Sequence, residues 1–268
     1  MHPAPAVPQE AGCYVISLRP AGAHDTLRNA ASHMRMRTFA LSPWRIAYRD
    51  DDASRAALRA ALAADVVVFT SPSAVTAAAA LQALDVRAGQ TWLAVGAGTA
   101  RVLARAGVAG VQSPARMDSE GLLAIPALRE VAGRSAGLVT APGGRGVIAR
   151  ALADGGADLR RADVYARIPT PPSPARIARL MALPAPWLLP LSSGEALVRT
   201  LDALPADAVA RLREACVLAA SARLADLARD AGFQHVVQAA DARPASLLAA
   251  TPVSLLAALH DRGQQISR

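Results

Sequence analysis

VVVFTSPSAVTAAAALQAL, residues 66–84, carries no charged side chain over its whole length. By count the run could span a bilayer. Thr70-Ser71-Pro72-Ser73 interrupts it near its start, however, and alanine is only weakly lipophilic. It reads instead as a buried strand, a turn and an Ala-rich helix. The same alternation recurs along the chain. Strands are expected at Tyr14–Leu18, Val66–Thr70, Trp92–Val95, Leu138–Thr140, Trp187–Leu191, Cys216–Ala219 and His235–Gln238. Most are followed by a Gly, Ser or Pro turn and then by apolar residues at helical spacing, such as Leu197, Leu201 and Leu204, or Leu224 and Leu227. Strands alternating with helices of this length predict parallel α/β sheets. Strands covered on both faces read as continuous apolar runs rather than alternating ones.

The opening stretch also has an echo. FTSPSAVTAAAALQAL from Phe69 is repeated in outline by LSSGEALVRTLDAL from Leu191, which sets Thr70-Ser71-Pro72 on Ser192-Ser193-Gly194. At the same offset VGAGTAR (Val95–Arg101) falls on VLAASAR (Val217–Arg223), so Thr99 is expected to match Ser221. After a short insertion SEGLL (Ser119–Leu123) falls on PASLL (Pro244–Leu248). A second pair sets CYVISLRPAG, from Cys13, against SAGLVTAPGGRG, from Ser135. The units therefore run a, b, a′, b′, and such repeats signal a duplicated architecture. Either consecutive halves form the domains, or the middle b and a′ form one and the outer a and b′ the other. Ile168–Pro174 (IPTPPSP) and the segment at Leu41-Ser42-Pro43-Trp44 read as linkers. Two linkers, near 42–48 and 167–174, favour the discontinuous arrangement: residues 1–44 with 170–268, and 48–166. The chain would then cross twice between domains, creating a hinge and a cleft.

Composition narrows the function classes. The chain has 268 residues, 29 basic and 21 acidic side chains, and a formal net charge of +8, and every basic residue is Arg. With no lysine, Schiff-base, lysine-base and P-loop chemistries are excluded. Hydrophobic residues make up 53%, too many for intrinsic disorder. The basic balance invites a nucleic-acid reading, but the arginines are dispersed and the few aromatics are not interleaved with them. A small polyanion satisfies the same electrostatics. Cys13 and Cys216, the two cysteines, have no CxxC spacing and point to a reducing compartment. MHPAPAVPQEAG at the N-terminus has no basic n-region and no apolar h-segment. A cytoplasmic chain is expected, monomeric, with no nucleic-acid or membrane partner.

No familiar catalytic constellation stands out. The five histidines form no HExxH or HxH, and each reads as a surface or packing residue. No metal is expected. Gly96-Ala97-Gly98 lacks the third glycine of the dinucleotide fingerprint, Arg101 standing there, so an NAD(P)-dependent enzyme is a weak alternative. The strand-end loops carry the chemistry instead, because open α/β sheets bind ligands beyond the carboxyl ends of their strands. These loops hold Arg19-Pro20, Thr70-Ser71-Pro72-Ser73, Gly96-Ala97-Gly98-Thr99, Gly143-Gly144-Arg145, Ser192-Ser193-Gly194 and Ser221-Ala222-Arg223. Any one of them also reads as ordinary helix capping. Six together, without a clear nucleophile or base, suit oxyanion binding by many weak donors.

In this order, Arg19-Pro20, FTSPSAV (Phe69–Val75), AVGAGTA (Ala94–Ala100), DSEGLL (Asp118–Leu123), APGGRGVIARALADGGADL…VYAR (Ala141–Arg167), LSSGEAL (Leu191–Leu197) and ASARLADLARDAGF (Ala220–Phe233) resemble the uroporphyrinogen-III synthase family. The likeness covers roughly residues 13–250. It implies two similar α/β domains with parallel sheets flanked by helices, the first discontinuous, joined by a two-stranded linker with the active site between them. It implies closure of linear hydroxymethylbilane to uroporphyrinogen III, with inversion of the last pyrrole ring and loss of water. No cofactor is implied. The substrate bears acetate and propionate groups on every ring, and transient contact with the preceding pathway enzyme is a corollary.

The resemblance assigns residues as follows. Tyr165 matches the family's cleft tyrosine and is expected to assist departure of the terminal hydroxyl, since a phenol is protonated at neutral pH and can donate. Thr99 matches the hydroxyl of the second glycine loop and is the other expected catalytic residue. Ser71, Ser73, Ser192 and Ser193, with Gly194 and Ser221, match polar substrate-binding positions. Arg19, Arg145 and Arg223 would hold carboxylates. The first helix lacks the family's terminating glycine, HMRMR (His33–Arg37) standing there. A rival from another class is a non-enzymatic two-domain protein that closes on an anion without turning it over.

Overall fold

The structure, a computed structural model, describes residues 13–115, 119–143 and 146–255. In chain order the elements are β1 Tyr14–Ser17, α1 Asp25–His33, β2 Arg37–Ala40, β3 Trp44–Tyr48, α2 Asp52–Leu62, β4 Val66–Phe69, α3 Pro72–Leu81, β5 Thr91–Ala94 and α4 Ala97–Arg105. Then come α5 Ser119–Leu123, α6 Pro126–Arg129, β6 Ser135–Thr140, α7 Val147–Asp154, β7 Asp158–Asp163, β8 Tyr165–Pro169 and α8 Pro174–Met181. The last are β9 Trp187–Leu191, α9 Gly194–Ala203, α10 Ala206–Arg213, β10 Cys216–Ala219, α11 Ala222–Asp230, β11 His235–Gln238 and α12 Pro244–Ala249. The uncharged stretch 66–84 is thus strand, turn and helix. No described helix is long and apolar enough to cross a membrane.

The chain forms two compact units, Met1–Arg45 with Pro169–Arg268, and Ile46–Ile168. The first holds a five-stranded sheet of order β11-β10-β9-β1-β2, the second a four-stranded sheet of order β5-β4-β6-β7. Every pairing in both sheets is parallel. In the second sheet Gln112 forms a parallel bridge to Leu93, on the side where β11 flanks β10 in the first. The two sheets therefore share one strand order. β3 and β8, which contain the two crossings between units, pair with each other. The Arg49 N–H donates to the Val164 carbonyl and the Thr170 N–H to the Pro43 carbonyl, so these two strands run antiparallel.

In the second unit β4 is buried at all four positions. Phe69 at its end stacks on Trp92 of β5 with ring centroids 5.5 Å apart. Ala74, Val75, Ala77 and Ala78 of α3 close over these rings. Each large side chain so buried contributes about 1.5–3 kcal/mol. Small alanines let α3 lie close to the sheet. Gly137 takes this further: a Cβ there would stand 2.0 Å from the Ala61 carbonyl oxygen of α2. In the first unit Val15, Leu188 and Leu218 of three neighbouring strands pack with Leu27 and Ala31 of α1 and with both buried cysteines.

Two sequence expectations are corrected. The register pairs Phe69 with Ala94 in the second sheet but Leu191 with Ala219 in the first. The three extra residues of the first unit therefore precede β10, in the segment that forms α10. Ser221, the N-cap of α11, corresponds to Gly96, the N-cap of α4, and not to Thr99. Constant offset fails because α10 has no helical counterpart between α3 and β5. The strands β2 and β7 were also not anticipated. β2 and β7 are sheet edges carrying Arg37, Arg160 and Arg161, which hide the apolar signal a central strand shows.

The missing glycine after α1 has a structural answer. Arg35 takes the left-handed conformation itself, with φ 55. Its N–H donates to the Ser32 carbonyl and that of Met36 to the Ala31 carbonyl, the paired bonds of a Schellman end. Gly107, Gly156 and Gly232 hold the same position after α4, α7 and α11, at φ 88, 78 and 93.

Candidate functional site

The carboxyl ends of β4 and β6 open on a cavity of about 200 Å³ within the second unit. Thr70 and Ser71 enter it because β4 ends at Phe69 and the chain turns there before Pro72 starts α3. Pro72 is favoured at a first helical position, where its missing N–H costs nothing. Ser71 accepts a hydrogen bond from the Ala74 N–H at 3.1 Å, capping α3. Its Oγ also lies 3.1 Å from the Tyr165 hydroxyl. Tyr165, the first residue of β8, is 2% exposed, its ring lodged among the core side chains of this unit. The guanidinium of Arg167 stands 5.8 Å from its ring centroid.

Across the cavity the Thr70 Oγ1 donates to Thr140 Oγ1 at 2.8 Å. Arg161, at the rim, donates to the Ala141 carbonyl at 3.2 Å and pairs with Asp163 at 2.9 Å. Gly146, Val147, Ile148 and Ala149, the first turn of α7, form another wall. Gly146 is the N-cap of this helix, and among the described residues no side chain hydrogen-bonds to its start. The first-turn N–H groups, with the positive end of the helix dipole, therefore point where an anion can sit. Hydroxyls, a phenol, two guanidiniums and a helix N-terminus can bind a carboxylate and donate a proton to a leaving oxygen.

The other expected residues are distributed unevenly. Ser71 and Tyr165 are brought together. Ser73, half-buried in the first turn of α3, does not line the cavity. Thr99, in the first turn of α4, is 2% exposed and is not among the residues lining this cavity. Arg145 lies outside the described residues. In the first unit Ser193 caps α9 through the Ala196 N–H at 3.3 Å, and Ser221 caps α11 through the Leu224 N–H at 3.4 Å. Ser192 and Arg223 are exposed. A Cβ on Gly194 would stand 3.9 Å from Arg223 Nη1, so this pair of loops does converge. Arg19 is half-buried and donates to Thr26 Oγ1 at 3.3 Å. Desolvation is what lowers its pKa, and no carboxylate pairs with it among the described residues.

The cysteines are not part of any site. Burial, with Cys216 adding, pushes the Cys13 thiol up to about 12, and burial raises that of Cys216. A thiol so raised is a poor nucleophile at neutral pH. No cluster of metal-ligating side chains occurs among the described residues. Sequence reasoning missed His24. It is 6% exposed and hydrogen-bonded through both ring nitrogens, to Ser17 Oγ and Ser42 Oγ, each at 2.8 Å. Nothing in the spacing of 17, 24 and 42 announces this meeting.

Two parallel α/β units of one strand order, one with a hydroxyl-lined, arginine-flanked cavity at its strand ends, define a duplicated α/β protein equipped for an anionic ligand. The sequence pattern of the family described as uroporphyrinogen-III synthase HemD matches residues 25–249, and the chain belongs to that family. It is accordingly an enzyme of tetrapyrrole biosynthesis, a hydro-lyase that closes hydroxymethylbilane to uroporphyrinogen III. Among solved structures it is similar to a mutant uroporphyrinogen III synthase from the extremely thermophilic bacterium Thermus thermophilus, at 19% identity and TM-score 0.57, with 95% of this chain and 99% of that one covered. It is likewise similar to the uroporphyrinogen-III synthetase of Helicobacter pylori, at 11% identity and TM-score 0.57, with 89% and 97% covered. At these identities the likeness is one of fold.

Proposed function

We propose that Tyr165 is the proton donor to the terminal hydroxyl of hydroxymethylbilane, with Ser71 holding the phenol in place. The observation that carries this reading is the 3.1 Å contact between the Tyr165 hydroxyl and Ser71 Oγ in a strand-end cavity walled on one side by the first turn of α7. When the C–O bond of the hydroxymethyl group breaks, the phenolic proton goes to the departing oxygen and water leaves. Ser71 keeps its cap bond to the Ala74 N–H throughout, so its oxygen is an anchored partner for the phenol. Within the second unit the first turn of α7 and Arg161 are the groups that would hold a carboxylate of the substrate; Arg19, Arg223 and the Ser192–Ser193–Gly194 turn keep the carboxylate- and hydroxyl-binding roles that the resemblance gives them. Anion binding by many such donors explains why arginine without lysine suffices, because each group has only to hold a carboxylate or a hydroxyl.

Positioning does the rest. A flexible tetrapyrrole held in one folded geometry reacts as a pre-assembled system, and such confinement is worth several kcal/mol of barrier. Ring inversion then outruns spontaneous closure to the unrotated isomer. The test is to supply freshly generated hydroxymethylbilane and identify the porphyrin isomer after oxidation. Isomer III in excess of the enzyme-free control is expected; isomer I alone refutes the reading.

A further inference from the structure

Three segments of the first unit meet at His24. Ser17 ends β1, His24 is the N-cap residue of α1, and Ser42 lies in the segment leading to β3. The two 2.8 Å bonds of the imidazole tie all three together. Backbone bonds run alongside: the Leu41 N–H donates to the Ser17 carbonyl and the Ala21 N–H to the Trp44 carbonyl, each at 2.9 Å. Arg19 sits in the short loop between the two anchored points, 17 and 24. His24 supplies no side-chain cap to α1, so helix capping does not account for its placement.

We propose that His24 is a positioning residue that, through Ser17 and Ser42, holds the 18–24 loop so that Arg19 faces a substrate carboxylate. The proposal rests on the reading of Arg19 as a carboxylate-binding residue. The surroundings fit it. Arg19, Arg28 and Arg176 all press positive charge on His24, and Asp25 alone opposes them. Arg28 is itself paired with Asp25 at 2.6 Å, and Arg176 lies over the Phe39 ring at 5.2 Å. Burial and these cations hold the imidazole below the usual histidine range, so the ring is neutral at neutral pH. A neutral imidazole has one donor and one acceptor nitrogen and can bridge two hydroxyls without adding charge beside Arg19. Arg19 is then left as the half-buried cation of this loop with no carboxylate of its own among the described residues.

The test is a double-mutant cycle on the full chain, with His24→Leu, Arg19→Gln and the double variant. It is read twice: as KM and kcat for hydroxymethylbilane, and as affinity for uroporphyrin I, an octacarboxylate, by porphyrin fluorescence. Each single variant is expected to raise KM and weaken uroporphyrin I binding about 10–100-fold, the scale of an ångström-level misplacement of a binding group. kcat should stay within about twofold, the chemistry lying elsewhere. Because His24 acts through Arg19, the double variant should be no worse than Arg19→Gln. His24→Asn, which keeps a polar group toward Ser17, should recover part of the loss; it also carries the test if His24→Leu fails to fold. Losses that multiply in the double variant, or wild-type KM and affinity in the His24 variants, overturn the proposal. Isomer III formation that is indifferent to Arg19→Gln overturns it and leaves the synthase reading standing. Coupled loss of uroporphyrin I binding in a protein that makes no isomer III upholds it and removes the proposed chemistry. A wild-type chain that neither turns over nor binds uroporphyrin I overturns both.

Discussion

Replacing Tyr165 by Phe deletes one hydroxyl and leaves the ring in its core setting. The lost contact is the 3.1 Å bond to Ser71 Oγ, and Ser71 retains its bond from the Ala74 N–H. One hydrogen bond lost without stranding its partner costs about 0.5–1.5 kcal/mol of stability. The thermal midpoint of a chain this long should then fall by only a few degrees, at about 2–4 °C per kcal/mol. The catalytic effect is on another scale. Removing a positioned proton donor costs about 10²–10⁴ in rate, and 10² corresponds to about 2.7 kcal/mol of barrier. The assay is isomer III formation at saturating hydroxymethylbilane, with a melting curve on the same preparation. A drop in kcat of about a hundredfold with a midpoint shift of a few degrees is expected. Ser71→Ala should lower kcat less, and should lower it no further once Tyr165 is Phe, because it acts through the phenol. A Tyr165→Phe enzyme with kcat within about twofold of wild type refutes the assignment, since no proton donor to a departing hydroxyl is so dispensable.

Three other outcomes follow from the fold. Arg35→Gly removes a side chain from the left-handed position that glycine occupies after α4, α7 and α11; it should stabilise the first unit by about 0.5–1 kcal/mol, measured by denaturant unfolding, after subtracting glycine's extra freedom in the unfolded chain. Gly137→Ala should cost about 3 kcal/mol or prevent folding, as soluble yield and circular dichroism would show, because the new methyl meets a backbone oxygen at 2.0 Å and neither β6 nor α2 can yield easily. His24 binds its proton less readily folded than unfolded, so its contribution to stability is present above the ordinary histidine pKa of 6.5 and is lost as pH falls through the lower folded value. Melting curves across that window should show wild type losing stability toward acid more steeply than His24→Gln, and equal slopes would contradict a neutral buried imidazole.

Central strands were legible in sequence because both of their faces are buried. Val66–Phe69 and Cys216–Ala219 are apolar at every position, and no other element type suits four or five such residues between turns. The charged edge strands β2 and β7 were not. Asp158–Asp163 reads DLRRAD, and its identity as a strand depends on the six residue pairs it makes with β6. The repeat was legible, yet its alignment slipped by three residues at α10. Equivalence within a duplicated fold is defined by strand register, and chemical likeness between short loops is a weaker guide: Thr99 and Ser221 look alike, but one is a buried helix residue and the other a cap. Of the candidate site, Tyr165 and Ser71 were both named from sequence, but their contact spans ninety-four positions and belongs to the tertiary fold.

By itself the sequence determined the alternation of strand and helix, the duplication, and an arginine-only chemistry turned toward anions. Those properties reside in side-chain type and local period, which any window of the chain displays. Only the tertiary structure decided which hydroxyls meet, which helix start walls the cavity, and that His24 joins Ser17 to Ser42 beside Arg19. Such contacts arise where separate strands end at one edge of a sheet. Parallel strands need crossovers of a dozen residues or more, so groups that share an edge are necessarily remote in sequence.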